Sequence, residues 1–211
     1  MKPITPLHLI TVLFFSVVSC RSKNDKPGPL ESLGKLKDYA QTVVDESKKS
    51  EARSDERRKK GDTLSIPYKD LEAYLPQISG YSSDSGPKGS QTSTPGMGSW
   101  SQAEQDYHNG DKRVNVSIMD YNSAHEAFIG LTSLFGLGIA YEDDDKKQGS
   151  VDMGTKDVKG YETIYKKDKK AELALVISDR FVINLKAEGE NDESFLKNIA
   201  KSMRLGELAE K

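Results

Sequence analysis

Residues Leu173–Leu185 form the stretch LALVISDRFVINL, two β-rich apolar runs separated by Ser-Asp-Arg. Leu173–Ile177 is apolar at every position, which is typical of a central strand covered on both faces. Asp179 and Arg180 give a tight connection, and Phe181–Leu185 predicts the next strand. The segment therefore predicts an antiparallel hairpin near the centre of a sheet.

Further strands are predicted before this hairpin. Tyr161, Thr163 and Tyr165 lie at alternate positions, as the side chains of one strand face do, and Lys166–Lys170 forms a charged turn. Ser150–Thr155 is a candidate for an earlier strand. The last third of the chain is therefore predicted to be a meander of three or four strands.

A second hairpin is predicted in the middle of the chain. Val114, Val116 and Ile118 alternate with polar residues, and Trp100–Tyr107 shows a weaker alternation. The Asn-Gly dipeptide at 109–110 lies between the two runs and is a strong signal for a hairpin turn.

Three helices complete the predicted domain. The first begins at Ile66-Pro67 and stops at Pro76, the second begins at the capping box Ser123–Glu126 and ends at Gly136, and the third is capped by Asp192. Their apolar faces are Tyr68, Leu71 and Leu75; Ala127, Phe128, Leu131, Leu134 and Phe135; and Phe195, Leu196, Ile199, Ala200 and Met203. This order of elements predicts an α+β fold, a curved antiparallel sheet covered by helices in the manner of an α/β/α sandwich.

One long segment inside this domain has no apolar pattern. Ser82–Gly98 is dominated by Ser, Gly, Pro and Thr, and Met97 is its one large apolar residue. We expect a surface loop at 82–98 within a single domain that covers residues 63–208.

The first residues of the chain predict export. Leu9–Ser19 is an eleven-residue run without charge, too short for a membrane-spanning helix of about 20 residues. Its length fits the apolar region of a secretory signal peptide at residues 1–19.

The only cysteine, Cys20, ends this run and is preceded by Val17-Val18-Ser19. The arrangement resembles the signal of bacterial lipoproteins. That resemblance implies a diacylglyceryl group on the Cys20 sulfur, cleavage before Cys20 and acylation of the new amino group. Two acyl chains give a stable membrane anchor. The alternative is an ordinary signal peptide with a chance cysteine near its cleavage site.

Composition excludes several other classes of protein. The chain has 211 residues, 31 of them basic and 33 acidic, for a net charge of −2. This balance argues against a nucleic-acid partner bound by bulk electrostatics. A single cysteine excludes an intramolecular disulfide framework and any zinc site with more than one thiolate.

Residues 20–62 are predicted to connect the anchor to the domain. Arg21–Pro29 is a polar, flexible spacer. A short helical stripe follows, formed by Leu33, Leu36, Ala40 and Val43. In Asp45–Asp62, thirteen of eighteen residues are charged, seven basic and six acidic. Two interpretations stay open: the basic block Arg57–Lys60 binds anionic lipid headgroups, or the segment is a solvated, salt-bridged helical stalk.

The domain itself carries a resemblance to an uncharacterised group of exported bacterial proteins. It lies in Leu71–Pro76, Ile78–Tyr81 and Val114–Tyr121, and it extends to Gly160-Tyr161, Asp179–Phe181 and the terminal helix. The resemblance spans about Ile66–Leu208 and brings no catalytic motif with it. The strand order is also similar to that of PsbP-like and Mog1-like sandwich domains, a likeness of topology that implies no function.

Candidate catalytic chemistry is sparse. After the leader, the histidines are His108 and His125, and neither has a partner at metal-ligand spacing. Glu142–Asp145 is either a cation site or a solvated acidic loop, and its contiguous acids lack the alternating ligands of a calcium loop. We therefore assign no catalytic, cofactor or metal residue, although a triad assembled only in space would escape this search.

Two apolar features have both a functional and a structural interpretation. Phe135–Ile139 either lines a pocket or is a helix end followed by a buried strand start. Tyr161, Tyr165 and Phe181 either form a ligand surface or pack within the sheet.

These observations predict a membrane-anchored envelope lipoprotein, a non-catalytic module that binds a protein, a lipid or a small ligand. The alternative is a tethered envelope hydrolase whose active site is not readable from the sequence. Arg21 is not acidic, which by resemblance to enteric lipoprotein sorting favours the outer membrane over the inner one.

Overall fold

The computed structural model describes residues 29–94, 98–122, 124, 128, 140–190 and 192–211, with side chains described from Gln41 onward. The predicted signal peptide at residues 1–19, Cys20 and residues 21–28 of the predicted spacer lie outside these residues. So do Phe135–Ile139 and most of the helix predicted at 123–136.

Four helices and eight strands are present in the described part of the chain. The helices are α1 (Pro29–Lys59), α2 (Tyr68–Glu72), α3 (Phe195–Lys201) and α4 (Leu205–Ala209). The strands are β1 (Lys88–Thr94), β2 (Gly98–Asn109), β3 (Lys112–Asp120), β4 (Tyr141–Glu142), β5 (Lys146–Val151), β6 (Val158–Tyr165), β7 (Lys170–Ile177) and β8 (Phe181–Glu188).

All eight strands belong to one open antiparallel sheet with the order β1-β2-β3-β8-β7-β6-β5-β4. The meander β1–β3 and the meander β4–β8 meet where β3 pairs with β8. Together with the helices, this sheet makes the domain a mixed α+β fold, as the sequence predicts.

Both predicted hairpins are confirmed. In the β7–β8 hairpin, Leu173 lies opposite Leu185 and Leu175 lies opposite Ile183. In the β2–β3 hairpin, Asn109 lies opposite Lys112, and Gly110 has the positive φ of 57° that this tight turn requires.

The predicted loop at 82–98 is wrong for Lys88–Thr94, which forms β1 and pairs with β2 along its whole length. Residues 95–97 lie outside the described part, and Ser82 makes an isolated bridge to His108. From Lys88 to Ser93 every side chain of β1 is exposed. An edge strand whose own side chains are exposed needs no apolar alternation, so its sequence gives no strand signal.

The last third also contains more strands than predicted. Five strands, β4–β8, lie between Tyr141 and Glu188. The strand expected at Ser150–Thr155 is displaced to Lys146–Val151, because the pairing of Val151 with Gly160 ends there. The helix predicted from Asp192 begins at Phe195, and α4 follows it as a separate short helix.

The main core lies between the sheet and the short helices. Its central side chains come from alternate positions of β3, β7 and β8, and α2, α3 and α4 cover them: Val114, Val116, Ile118, Leu173, Leu175, Ile177, Phe181, Ile183, Leu185, Leu71, Leu196, Ile199, Met203 and Leu208. A smaller cluster on the other face contains Phe128, Val176 and Val182, with Met119 and Tyr121 against it.

Gly160 offers a test of this packing. A Cβ at Gly160 would lie 2.9 Å from the Val151 carbonyl oxygen and 3.1 Å from Leu175 Cδ2. We expect Gly160→Ala to lower the free energy of unfolding by about 1–3 kcal/mol, since overpacking displaces backbone and core together. Gly86→Ala is the matched control because nothing lies within 4 Å of its Cβ position. Urea unfolding measures both variants, and equal stabilities would contradict the packing described here.

Candidate functional site

A buried charge cluster lies at the end of β3, where the β7–β8 turn meets the segment after α1. Arg180 and Asp120 form its centre, with 4% and 0% of their surfaces exposed. Arg180 Nε donates to Asp120 Oδ1 at 3.0 Å, and Arg180 Nη2 donates to Asp120 Oδ2 at 2.9 Å. Such a bidentate pair fixes the orientation of both side chains as well as their separation.

Asp120 is buried because of its position in the strand. It follows Ile118 by two residues and therefore faces the core side of the sheet. Its carboxylate also accepts hydrogen bonds from the Ile66 amide at 2.7 Å and the Asn122 amide at 2.9 Å. Four donors thus compensate the burial of this negative charge.

Arg180 has two further partners. Its Nη1 donates to Asp62 Oδ2 at 2.9 Å and to the Lys211 carbonyl oxygen at 3.0 Å. Its guanidinium carbon also lies 4.9 Å from the centre of the Phe181 ring. One side chain therefore connects β3, β8, the segment after α1 and the last residue of the chain.

Asn122 extends the cluster to helix α1. Its Nδ2 donates to Asp62 Oδ1 at 2.7 Å and to the Leu64 carbonyl oxygen at 3.1 Å. Its Oδ1 accepts a 2.9 Å hydrogen bond from Arg57 Nε. We call these five residues, Arg57, Asp62, Asp120, Asn122 and Arg180, the Arg180 cluster.

The last turns of α1 contact the domain through polar side chains. Arg57 also donates to the carbonyl oxygens of Ser178 and Asp179, at 3.4 Å and 3.3 Å. Burial, together with the charge of Arg180, lowers the pKa of Arg57. Arg57 is therefore held in the cluster and is not part of a free basic block, although Arg58, Lys59 and Lys60 are exposed.

Two ion pairs hold α1 further along its length. Arg53 pairs with Asp179, and Glu46 pairs with Lys159. The hydrogen bond from Lys159 lowers the pKa of Glu46, so this carboxylate stays charged at neutral pH. The second half of α1 therefore contacts the domain and is not wholly solvated.

The face of α1 that contacts the domain continues the helical stripe that begins at Leu33 in the sequence. Val43, Ser47, Ser50, Ser54 and Arg57 recur at spacings of four and three, and each is buried or half-buried. Serine replaces the apolar residues of the earlier turns along this stripe. Its small side chains let the helix lie close to the domain.

The β7–β8 turn presents Arg180 to the cluster in an unusual backbone conformation. Ser178 and Asp179 have φ values of 50° and 53°, although neither is glycine. The Ser178 amide donates to the Asp157 carbonyl oxygen at 2.9 Å, and Ser178 Oγ donates to the Ala209 carbonyl oxygen at 2.7 Å. These bonds hold the strained turn.

A cleft of about 440 Å³ on the sheet contains His108, Asp84, Arg113 and Lys186. His108 Nε2 lies 2.9 Å from Asp84 Oδ1 and 3.4 Å from Ser82 Oγ. A catalytic triad needs the acid and the serine on different ring nitrogens. Because both partners share Nε2, this arrangement cannot relay a proton from the serine to the acid.

A second cleft, of about 600 Å³, lies beside the first and has both apolar and polar walls. Leu75, Pro76, Ile78, Tyr81 and Tyr107 contribute to its walls. Tyr107 donates from its hydroxyl to the Pro76 carbonyl oxygen at 2.6 Å, and burial raises the pKa of Tyr107 to about 12. The phenol therefore stays protonated, and Glu72 is the one charged side chain among the described residues that line this cleft.

Three carboxylates of the acidic run Glu142–Asp145 are bound by nearby lysines and backbone amides. Glu142 pairs with Lys166 at 2.9 Å, and Asp145 pairs with Lys167. Asp143 accepts from the backbone amides of Asp145 and Lys146, at 2.9 Å and 2.7 Å. Among the described residues, no group of three or more His, Cys, Asp or Glu side chains is placed to hold a metal ion.

The other sequence candidates are not brought together. Phe181 is fully buried in the core, whereas Tyr161 and Tyr165 are half-buried at positions that alternate with the core-facing residues of β6. A ligand surface made of all three is therefore wrong, and packing explains Phe181. His125 lies outside the described residues. No described helix is long and apolar enough to cross a membrane.

The Arg180 cluster is the feature that sequence reasoning missed. Its signal is present in β3, where Asp120 follows Val114, Val116 and Ile118 on the core-facing side. A carboxylate at such a position requires a buried partner. The sequence predicts Arg180 only as part of a turn, because its partner Asp120 lies sixty positions earlier.

Comparisons of the chain with protein-family models, with curated proteins and with solved structures find no match. The function is therefore inferred from the residues of this chain alone.

Removing one member of the central pair should be costly. We expect Asp120→Asn to lower the free energy of unfolding by about 3–5 kcal/mol, since it removes the buried carboxylate that pairs with two Arg180 nitrogens and leaves only the half-buried Asp62 as counter-ion. Glu188→Gln makes the same chemical change in an exposed pair with Lys170 and should have a much smaller effect. Urea unfolding compares the two, and similar losses would show that the Asp120 pair contributes no more than a surface pair.

Glu162 should make stability depend on pH. It is buried on β6, with Oε2 at 3.2 Å from Lys197 Nζ, and burial raises its pKa despite that lysine. A carboxyl whose pKa is higher in the folded state stabilises the fold below its unfolded pKa, about 4.5, and loses this contribution as pH rises through the folded value.

Glu162→Gln should therefore reduce the loss of stability between about pH 4.5 and neutrality. Denaturation midpoints across this pH range measure the effect, with the exposed Glu172→Gln on β7 as the control. A pH profile identical to that of the wild type would contradict the burial of this group.

Proposed function

We propose that the protein is an envelope lipoprotein, held to a membrane by acyl chains on Cys20, whose α+β domain is a non-catalytic binding or accessory module. The observation that carries this proposal is Val17-Val-Ser-Cys20 at the end of the uncharged run Leu9–Ser19. Arg21 after the cysteine favours the outer membrane over the inner one.

Helix α1 would set the distance between the anchor and the domain. It begins nine residues after Cys20, and its 31 residues span about 46 Å at 1.5 Å per residue. Contacts of Glu46, Arg53 and Arg57 hold its second half against the domain. The first half of α1 would thus act as the stalk, and the domain would have a defined orientation at its end.

The finer architecture is also proposed here. The core side of the sheet is covered by α2, α3 and α4, and the opposite side carries Phe128, Val176 and Val182. The helix predicted at 123–136 would cover that second side, because Phe128 belongs to its apolar face. The result would be a curved α/β/α sandwich like those of PsbP-like and Mog1-like domains.

The cleft beside Tyr107, with its mixed apolar and polar walls, supports a binding role. It is large enough for an apolar side chain or a small ligand and contains a protonated phenol in place of a reactive group. Its occupant would be an envelope protein, a lipid or a small ligand. A nucleic acid is not favoured, because the net charge is −2.

A tethered hydrolase is the second candidate, and the group Ser82, Asp84 and His108 is the observation that favours it. The shared use of Nε2 weakens this candidate. Hydrolytic activity of the purified protein that disappears in His108→Ala would support it, whereas partner capture that is unchanged in His108→Ala would support the binding module.

The anchor is tested by labelling cells with radioactive palmitate. We expect label on the wild type and at least a tenfold loss in Cys20→Ser, because the acyl chains attach through this residue. Ser22→Ala, two positions later in the spacer, is the matched control and should label fully.

Cell fractionation supplies the second readout of the same experiment. The wild type should sediment with membranes, and Cys20→Ser should be released from them in alkaline carbonate. Equal labelling of the wild type and Cys20→Ser, or no labelling of either, would overturn the lipoprotein assignment.

A further inference from the structure

The two edges of the sheet differ in how they are protected. At one edge, β4 has only two residues, and the acidic run Glu142–Asp145 with its lysine partners surrounds it. Short length and charge are the usual ways in which proteins prevent pairing at a sheet edge. At the other edge, β1 has seven residues and a single charge, at Lys88.

Nothing inside β1 interrupts pairing. Its register with β2 is continuous from Lys88 to Thr94, without a bulge, and no proline lies within it. Tyr68 packs over Gly89 on one face of the strand and does not cover its outer edge. Because β1 is the last strand of the sheet, its outer backbone side is unpaired among the described strands. Such a row of free amide and carbonyl groups can accept another strand.

From these features we propose that the protein forms a homodimer through antiparallel pairing of β1 with β1 of a second copy, centred on Gln91. Gln91 is the middle residue of the strand, so a two-fold axis there matches all seven residues. Lys88 then lies opposite Thr94, Gly89 opposite Ser93 and Ser90 opposite Thr92, with no like charges facing each other. An isologous contact of this kind closes as a dimer and does not propagate.

The sequence of β1 favours a second copy over a foreign strand. When a foreign segment adds to a sheet edge, pockets for its alternate side chains give the specificity. No residue of β1 lines either of the two clefts described above. Apart from Lys88, the residues of β1 are uncharged and polar or glycine, so the strand and its own antiparallel copy match in polarity.

The dimer should be weak in solution. A seven-residue strand pair is smaller than the standard interface of about 1,200–2,000 Å². Association therefore depends on concentration. Confinement on a membrane would strengthen it, a consequence that rests on the proposed anchor.

Disulfide trapping tests the pairing and its register. The full chain carrying Cys20→Ser has no other cysteine, so one thiol can be introduced at a time. Gln91→Cys would face its own copy at about 5 Å, within reach of a disulfide. Ser93→Cys is an equally exposed control on the same strand, and its copies would lie about 14 Å apart, four residues at 3.4 Å each.

Under mild oxidation in detergent micelles, Gln91→Cys should give at least ten times more linked dimer than Ser93→Cys. Equal yields, or no linked dimer from Gln91→Cys, would overturn the proposal. Since Cys20 is absent from both chains, this result is independent of whether the wild type is lipidated.

Sedimentation velocity gives a second test on the same Cys20→Ser background. Gln91→Lys places two positive charges opposite each other and should shift dimer to monomer, whereas Gln91→Thr should preserve the dimer. Circular dichroism and urea unfolding confirm that both variants fold. A chain that stays monomeric at every concentration, or a dimer that survives Gln91→Lys, would contradict β1 pairing.

Discussion

The bidentate pair between Arg180 and Asp120 is the constraint on which the rest of the structure depends. It lies where β3 pairs with β8, the one junction between the two meanders of the sheet. Two charges at a core-facing position would be very unfavourable without full compensation. Asp62, the Ile66 amide and the Lys211 carbonyl supply that compensation, so the segment after α1 and the end of the chain must lie in the positions observed.

This constraint also determines how the helical segment joins the domain. Asn122 and Asp62 belong to the cluster and also hold Arg57 of α1. These contacts fix the direction in which the charged second half of α1 leaves the domain. The Arg180 cluster therefore also orients the other end of α1, where the proposed anchor begins. It links the packing of the core to the proposed attachment to a membrane.

Sequence predicts the parts of this fold that bury apolar side chains. The β2–β3 hairpin is confirmed because Val114, Val116 and Ile118 are buried at alternate positions. The β7–β8 hairpin is confirmed because its continuous apolar run buries consecutive residues, such as Leu175 and Val176, on both faces. Strand β1 was missed because it buries no side chain, and backbone pairing with β2 forms it. The Arg180 cluster was missed because charge compensation between residues sixty positions apart depends on tertiary structure. The predicted lipidation signal at Cys20 is local in sequence, and it stays a prediction because Cys20 lies outside the described residues.

The most direct test of the central claim is a double-mutant cycle between Arg57 and Asp120, whose side chains are connected through Asn122 and through the turn that carries Arg180. Urea unfolding of Arg57→Met, Asp120→Asn and the double variant gives the coupling free energy. If the cluster is one cooperative unit, the coupling should exceed about 0.5 kcal/mol and reach up to about 3 kcal/mol. Losses that add within about 0.3 kcal/mol would show that α1 and the core pair are independent, and would contradict this account.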